Sequence, residues 1–191
     1  MNTEHFIREI KKIVAVQADD FAAITASLQS ISLKKNEVWE KEGRVSQYMG
    51  FLNRGVIRQY YRKDGNEFTD NFFIEGQFLG NYISFLNNEP SKVETAALEP
   101  CELLVMPFED IEKHKKTFPA MAKFSQSVGD QKLLELNQRS ASLLMDTPEE
   151  RYFKFLKEKP ELFNRVPQYH IAQYLGIRPE SLSRIRKRHL S

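Results

Sequence analysis

Between Ile31 and Met106 the chain changes texture, and that stretch restricts the possible folds more than any other feature. Short runs rich in β-branched and aromatic residues alternate with turn signals: Glu42-Gly43, Asn53-Arg54-Gly55, Lys63-Asp64-Gly65-Asn66, Glu75-Gly76 and Asn87-Asn88-Glu89-Pro90. The runs predict strands over residues 38–40, 48–53, 56–62, 67–73, 92–97 and 101–107. Asp64-Gly65, set between Tyr60-Tyr61 and Phe68, is a hairpin signal. Short strands recurring every 8–12 residues or so bury their apolar faces as an antiparallel sandwich or barrel.

The flanks read as helical. Residues 3–28 place Phe6, Ile10, Ile13, Val14, Phe21, Ile24 and Leu28 at mostly helical spacing. After Pro107, a short helix is predicted over 108–117 and a long one from Phe118 to about Met145, interrupted only by Gly129. At about 1.5 Å per residue the long helix spans roughly 40 Å. Its apolar residues (Met121, Phe124, Val128, Leu133, Leu136, Leu143 and Leu144) suit packing on the sheet, or a coiled-coil-like seam with a second copy. Asp146-Thr147-Pro148-Glu149-Glu150 starts a new helix, with Thr147 as N-cap, Pro148 in the first position and acids at the positive end. Pro160 stops that helix.

Composition removes several function classes. The chain has 191 residues and a formal net charge of +2, but residues 147–191 hold 10 basic against 5 acidic residues and residues 1–146 hold 18 against 21. An acidic body with a basic tail points to an anionic partner for the tail. Cys101 is the only cysteine, which excludes an intrachain disulfide and a cluster held by several thiolates of this chain. No apolar run nears the roughly 18 residues of a membrane span, and MNTEHFIREI has no apolar signal core, so a cytoplasmic place is expected. A metal-dependent barrel enzyme needs several His, yet residues 6–113 have none. No catalytic triad, Gly-rich nucleotide loop or HExxH motif is present, and no enzyme is expected.

Residues 167–189 read PQYHIAQYLGIRPESLSRIRKRH. Ile171, Leu175, Ile177, Leu182 and Ile185 can weld two short helices together, with Ala172 where the backbones approach and Gly176 in the turn. This is helix-turn-helix chemistry. Pro179 opens the second helix, whose outer side carries Glu180, Ser181, Arg184, Lys187 and Arg188. Arg184 can bridge guanine O6 and N7, and Glu180 can accept from cytosine N4. Glu180, Ser181 and Arg184 are thus the candidate base readers. Arg178, Lys187 and Arg188, with Gln168 and His170 on the first helix, are the candidate backbone contacts, and the Arg186-Lys187-Arg188 run is expected to meet phosphate.

The chain resembles the bacterial Crp/Fnr regulators over nearly its whole length. GIRPESLSRIRKR is similar to the family's recognition helix, in which a Glu and an Arg four residues apart read a G·C pair; these match Glu180 and Arg184. Pro179 stands where the family has a preceding Arg. EGQFLGNYISFLNNEPSKVETAALEPCELLVM is similar to the family's phosphate-binding cassette, with Gly80 as its glycine. Two positions depart: Asn81 replaces the ribose-holding Glu, and Ser91-Lys92 replaces the Arg-Ser/Thr pair that holds the cyclic phosphate. A buried phosphate needs a paired cation, Ser91 cannot supply one, and Lys92 as a strand neighbour points the other way. Cyclic AMP is therefore not expected to bind in the usual mode, and no cofactor is expected. His5, His114 and His170 show no spacing that argues for haem.

The resemblance implies an α+β fold: a β-roll sensor of jelly-roll type with flanking helices over residues 1–117, a long dimerisation helix over 118–146, and a helix-turn-helix domain over 147–191. It implies a homodimeric transcriptional regulator on double-stranded DNA, with half-sites about 34 Å apart. RNA polymerase and an unknown small effector are further candidate partners; no membrane is. The short stretch from Lys159 to Arg165 leaves little room for a β-wing, so a compact three-helix domain is expected. The competing reading is a ligand sensor or dimeric scaffold, built on the same roll, that binds no DNA.

Overall fold

The computed structural model describes residues 2–190, so the expected outer boundaries at residues 1 and 191 lie outside it. Helices α1 (Glu4–Ile13) and α2 (Ala18–Ala26) lead into eight strands: β1 (Gln29–Leu33), β2 (Val38–Glu40), β3 (Tyr48–Arg54), β4 (Ile57–Lys63), β5 (Asn66–Phe73), β6 (Phe78–Leu79), β7 (Val93–Ala97) and β8 (Cys101–Pro107). α3 (Tyr82–Asn87) lies between β6 and β7; α4 (Phe108–Thr117) and α5 (Pro119–Met145) follow β8. The strands form two four-stranded sheets, ordered β1-β8-β3-β6 and β2-β7-β4-β5. The strand pairings within both are antiparallel.

Six strands fall where the alternation predicts them. β1 and β6 add to them; β1 has polar Gln29, Ser30 and Ser32, and β6 is two residues long, too short for a pattern. The helical stretch expected over 3–28 is broken: Val14 is extended (φ −141°), and Gln17 begins α2 anew. The break lets Phe6 and Ile10 of α1 and Phe21 and Ile24 of α2 enter one core.

Strand parity sorts the apolar residues into three cores. Leu52, Ile57, Phe73, Ala97, Leu103 and Val105 fill the space between the sheets. Phe51, Leu104 and Met106 alternate with these on the first sheet and meet α1, α2, α4 and the start of α5 outside the roll. On the second sheet Phe72 points outward into the core of the C-terminal helices. Each sheet is thus covered on both faces, which explains the nearly unbroken burial of β4 from Ile57 to Tyr60 and of β8 from Leu103 to Met106.

The two halves of α5 differ in burial. Met121 and Phe124 are buried in the core outside the roll. Beyond them an open groove of about 840 Å³ lies between the helix and β5 and the C-terminal helices, crossed by Arg139, which donates to Thr69 O at 3.3 Å and lies 4.1 Å from the Tyr174 ring centroid. Ala122, Gln126, Gly129, Leu133, Leu136, Ser140 and Leu143, alternately four and three apart, are all exposed. That is heptad spacing. Leu133 is 60% exposed and Leu144 86%. Gly129 has nothing within 4 Å of an added Cβ, so no contact within the chain accounts for a glycine here, although mid-helix glycine costs roughly 1 kcal/mol against Ala.

α6 (Pro148–Glu158) starts as its sequence predicts. Thr147 Oγ1 accepts from Glu150 N, and Glu150 accepts from Thr147 N at 2.8 Å, a complete capping box. Thr147→Ala is expected to lower stability by about 1 kcal/mol, read as a lower urea midpoint at unchanged slope.

Candidate functional site

Four helices form the C-terminal unit: α6, α7 (Leu162–Arg165), α8 (Gln168–Leu175) and α9 (Pro179–Leu190). The three-helix expectation is corrected by α7, one helical turn inside the stretch read as a bare link. It buries Leu162 and brings Val166 onto the same core. No strand occurs among the described residues after β8.

The α8–α9 turn has the predicted chemistry. Gly176 caps α8 in the left-handed region (φ 64°), its N–H bonding back to Ala172 and Gln173 carbonyls, and Ile177 N donates to Ala172 O at 3.0 Å. Leu182 and Ile185 are buried against Ile171, Ala172 and Leu175. The two helices are thereby locked in a fixed crossing.

The opposite side of α9 faces solvent. Glu180, Ser183, Arg184 and Lys187 are exposed on one face, three and four residues apart, with exposed Arg188 at its flank. Ser183 belongs to this face although the sequence reading omitted it; its i+3 spacing from Glu180 is the signal. Ser181 is half-buried at the edge towards α6, with Arg184 Nη2 3.5 Å from its hydroxyl. Arg178 is exposed just before α9. Arg188 Nη1 lies 4.0 Å from Glu149 of α6, an exposed pair of small energetic weight.

Of the expected backbone contacts, His170 is corrected, and Gln168 and Arg186 are half-buried with partners inside the chain. His170 is 4% exposed, buried against the roll, with Nδ1 3.2 Å from Gln173 Oε1. Burial, with Arg58 nearby, lowers its pKa and keeps it neutral at pH 7. Gln168 is half-buried; its amide donates to Phe163 O, and its Oε1 is buried without a partner. Arg186 lies over the Phe163 ring, 4.7 Å from its centroid, instead of reaching outward with Lys187 and Arg188. Charge and spacing could not show these orientations, because the roll and α7 cover that side of the unit.

The cassette turn also folds as a self-bonded loop. Gly80 adopts φ +142°, where an added Cβ would lie 2.8 Å from Tyr48 O. Asn81 caps α3: its Oδ1 accepts from Ser84 N, and its Nδ2 donates to Ser91 Oγ at 3.1 Å. Ser91 is 5% exposed and donates to Val93 O at 2.8 Å. Lys92 points outward and is exposed, as strand alternation expects. Asn81 and Ser91 therefore satisfy each other. Beside them Ser46 takes Ser84 Oγ as acceptor for its N–H and donates its own hydroxyl to Glu40. Glu40 is a site residue the sequence reading missed: burial pushes its carboxyl up to about 7, with only the Ser46 hydroxyl opposing.

Among the described residues no group of three or more His, Cys, Asp or Glu could hold a metal. No described helix is long and apolar enough to cross a membrane. Cys101 is buried, and burial raises its thiol to about 11, the state of an unreactive thiol.

Residues 30–117 match the family model of the cyclic nucleotide-binding domain. No curated protein matches the chain in sequence. Solved structures share the fold over both units. FixK2 of Bradyrhizobium japonicum superposes with a TM-score of 0.73 at 18% identity, over 84% of this chain and 83% of that one. The c-di-GMP responsive global regulator CLP of Xanthomonas campestris gives 0.70 at 18% identity, over 91% and 92%. A putative transcriptional regulator of the Crp/Fnr family from Eubacterium rectale gives 0.68 at 16%, over 90% and 82%.

Glu40 supplies a test of the cassette. The folded carboxyl keeps its proton to about 7 against an ordinary 4.5. Folding then retains a proton that the unfolded chain releases, so this group makes stability fall as pH rises from 4.5 through 7. Glu40→Gln is expected to melt above the native chain at pH 8, the gap closing towards pH 4.5. A gap that does not vary with pH would mean that Glu40 is ionised in the fold.

Proposed function

We propose that this chain, a cyclic nucleotide-binding domain joined to a helix-turn-helix unit in the Crp/Fnr arrangement, is a sequence-specific DNA-binding transcriptional regulator that acts as a homodimer. One observation carries the reading: α9 buries Leu182 and Ile185 while presenting Glu180, Ser183, Arg184, Lys187 and Arg188 on its exposed side. A helix held this way can lie in a major groove, with acid and guanidinium near its N-terminal half reading base edges. Glu180 and Arg184, with Ser181 at the edge, are the assigned base readers; Arg178, Lys187 and Arg188 are the assigned phosphate contacts.

The exposed heptad strip of α5 supports dimerisation. A second copy covers Leu133, Leu136 and Leu143, and Gly129 lets the two backbones approach closely. Two recognition helices then meet successive major grooves of a pseudo-palindrome. On this reading the protein is not an enzyme and works in the cytoplasm, where RNA polymerase is a candidate partner.

Cyclic AMP is not its effector in the usual phosphate-held mode. Ser91 stands where a guanidinium is needed and is engaged by Asn81 and Val93, while Lys92 is exposed on the other side. A buried phosphate would face the Glu40 carboxyl instead of a cation.

Selection of duplexes from a random pool by the apo protein tests the reading: an enriched palindrome is expected, unchanged by added cyclic AMP. Absence of any enriched sequence, with and without cyclic nucleotides, counts against it and favours the scaffold. Arg184→Ala is expected to cost roughly 1–3 kcal/mol and to relax one G·C position. Lys187→Ala should weaken all sequences alike and lower the salt slope by about one. Uniform weakening by Arg184→Ala would remove that residue from the base readers.

A further inference from the structure

Resting on the DNA-binding reading, we infer that Arg58, Gln173, Arg165 and Glu75 are positioning residues. They dock the helix-turn-helix unit on the outer face of the second sheet in one orientation through bonds made within the chain.

The dock has an apolar and a polar part. Phe72 of β5 and Val56 are fully buried in the same core as Tyr152, Phe155, Ile171 and Leu175. Phe72 lies 5.4 Å from the Tyr174 ring. Around this contact Arg58, 3% exposed, spends three donors: Nε on Thr69 Oγ1 (2.8 Å), Nη1 on Glu67 Oε2 (2.6 Å) and Nη2 on Gln173 Oε1 (3.0 Å). Gln173 answers with Nε2 on Glu67 O at 2.8 Å and also accepts from Thr69 Oγ1 at 3.0 Å. At the rim Arg165 of α7 grips Glu75 through two nitrogens (2.7 and 2.9 Å) and Glu99 at 2.5 Å. That grip, with the Gly55 N–H, holds the Glu75 carboxyl at about 2 although burial alone would raise it.

The covalent joint is stiffened too. Arg151 donates to Asp146 O (2.6 Å) and to Leu175 O (2.7 Å), tying the start of α6 to the end of α8. Lys154 and Ser142 both bond Asp146 Oδ2. The dock uses His170, Gln173 and Tyr174 of α8 and leaves exposed both Tyr169 and the polar face of α9. Docking therefore fixes where α9 points without covering what it would read. In a dimer both recognition helices are pre-oriented, and binding is spared the loss of affinity that a scarce competent state imposes.

The test separates orientation from integrity by comparing the selected palindrome with an isolated half-site. Gln173→Ala is expected to bind the palindrome about tenfold more weakly, as the competent fraction falls. It should bind the half-site as the native chain does, with the salt slope per half-site unchanged. Glu75→Gln, at the part-exposed rim, guards against a folding defect in the first variant and should act in the same direction. Calorimetry should show one transition for the native chain and a separated, earlier one for the C-terminal unit in Gln173→Ala. Native palindrome binding by both variants overturns the inference, as does parallel loss of palindrome and half-site binding by both. If the native chain itself binds no duplex, the DNA-binding reading fails first, and that failure is recognisable because it precedes any variant.

Discussion

A guanidinium buried at 3% exposure on the outer face of a sheet is costly unless its donors are met, and Arg58 is placed where two units must meet them together. Thr69 and Glu67 come from the neighbouring strand of the roll; Gln173 comes from the helix-turn-helix unit more than a hundred residues later. Separation of the two units would leave part of Arg58 to water and would uncover Phe72 and Val56, each worth roughly 1.5–3 kcal/mol in burial. The second sheet is consequently two-faced. Ile57, Phe73 and Ala97 close the roll inside, while Phe72 and Arg58 hold the C-terminal unit outside.

How much of this was legible depended on the range of the interaction. Strand positions followed from turn signals and two-residue alternation, and the start of α6 from Thr147-Pro148 with Glu150, because those determinants lie within a few residues. The Gly176 turn and the inward Leu182 and Ile185 were readable for the same reason. β6 was too short to show a pattern, and the break at Val14–Gln17 is dictated by a core that two helices share. The burial of His170 and the partial burial of Gln168 and Arg186 were not legible, because their surroundings come from the roll and from α7. A histidine beside a DNA-reading motif looks outward only if nothing else packs on that face of the helix. Arg58 left no distinguishing trace, since β4 also carries Gln59, Arg62 and Lys63, and its partner Gln173 lies more than a hundred residues away.

The cassette follows the same electrostatic logic with the sign reversed. A pocket for a cyclic phosphate concentrates positive charge in a low-dielectric place. Here the buried groups are Ser91, Ser84 and Ser46, with the half-buried Glu40 carboxyl beside Ser46, and Lys92 stays outside. Burial raises the Glu40 carboxyl to about 7, so the proton is held well above the usual carboxylate range. Asn81 and Ser91, the two positions that depart from the phosphate-binding pattern, bond each other and so stabilise the turn from within.

A roll whose cassette turn bonds to itself and a helix-turn-helix unit docked on the roll by its own side chains are two parts of one arrangement. In a switch, the apo state must leave something unsatisfied that the ligand completes, since a ligand shifts an equilibrium only by its differential affinity for the two states. The cassette hydrogen bonds and the Arg58 and Arg165 clasps leave little of that kind in the places where a phosphate would act. Among the described residues α5 exposes Leu133, Leu134 and Leu144, and on the proposed reading a second copy of the chain would cover that surface. On the proposed reading, association of two copies would bring two already oriented recognition helices to the spacing of successive major grooves. Occupancy of the operator would follow protein concentration, because dimerisation and binding are linked by mass action.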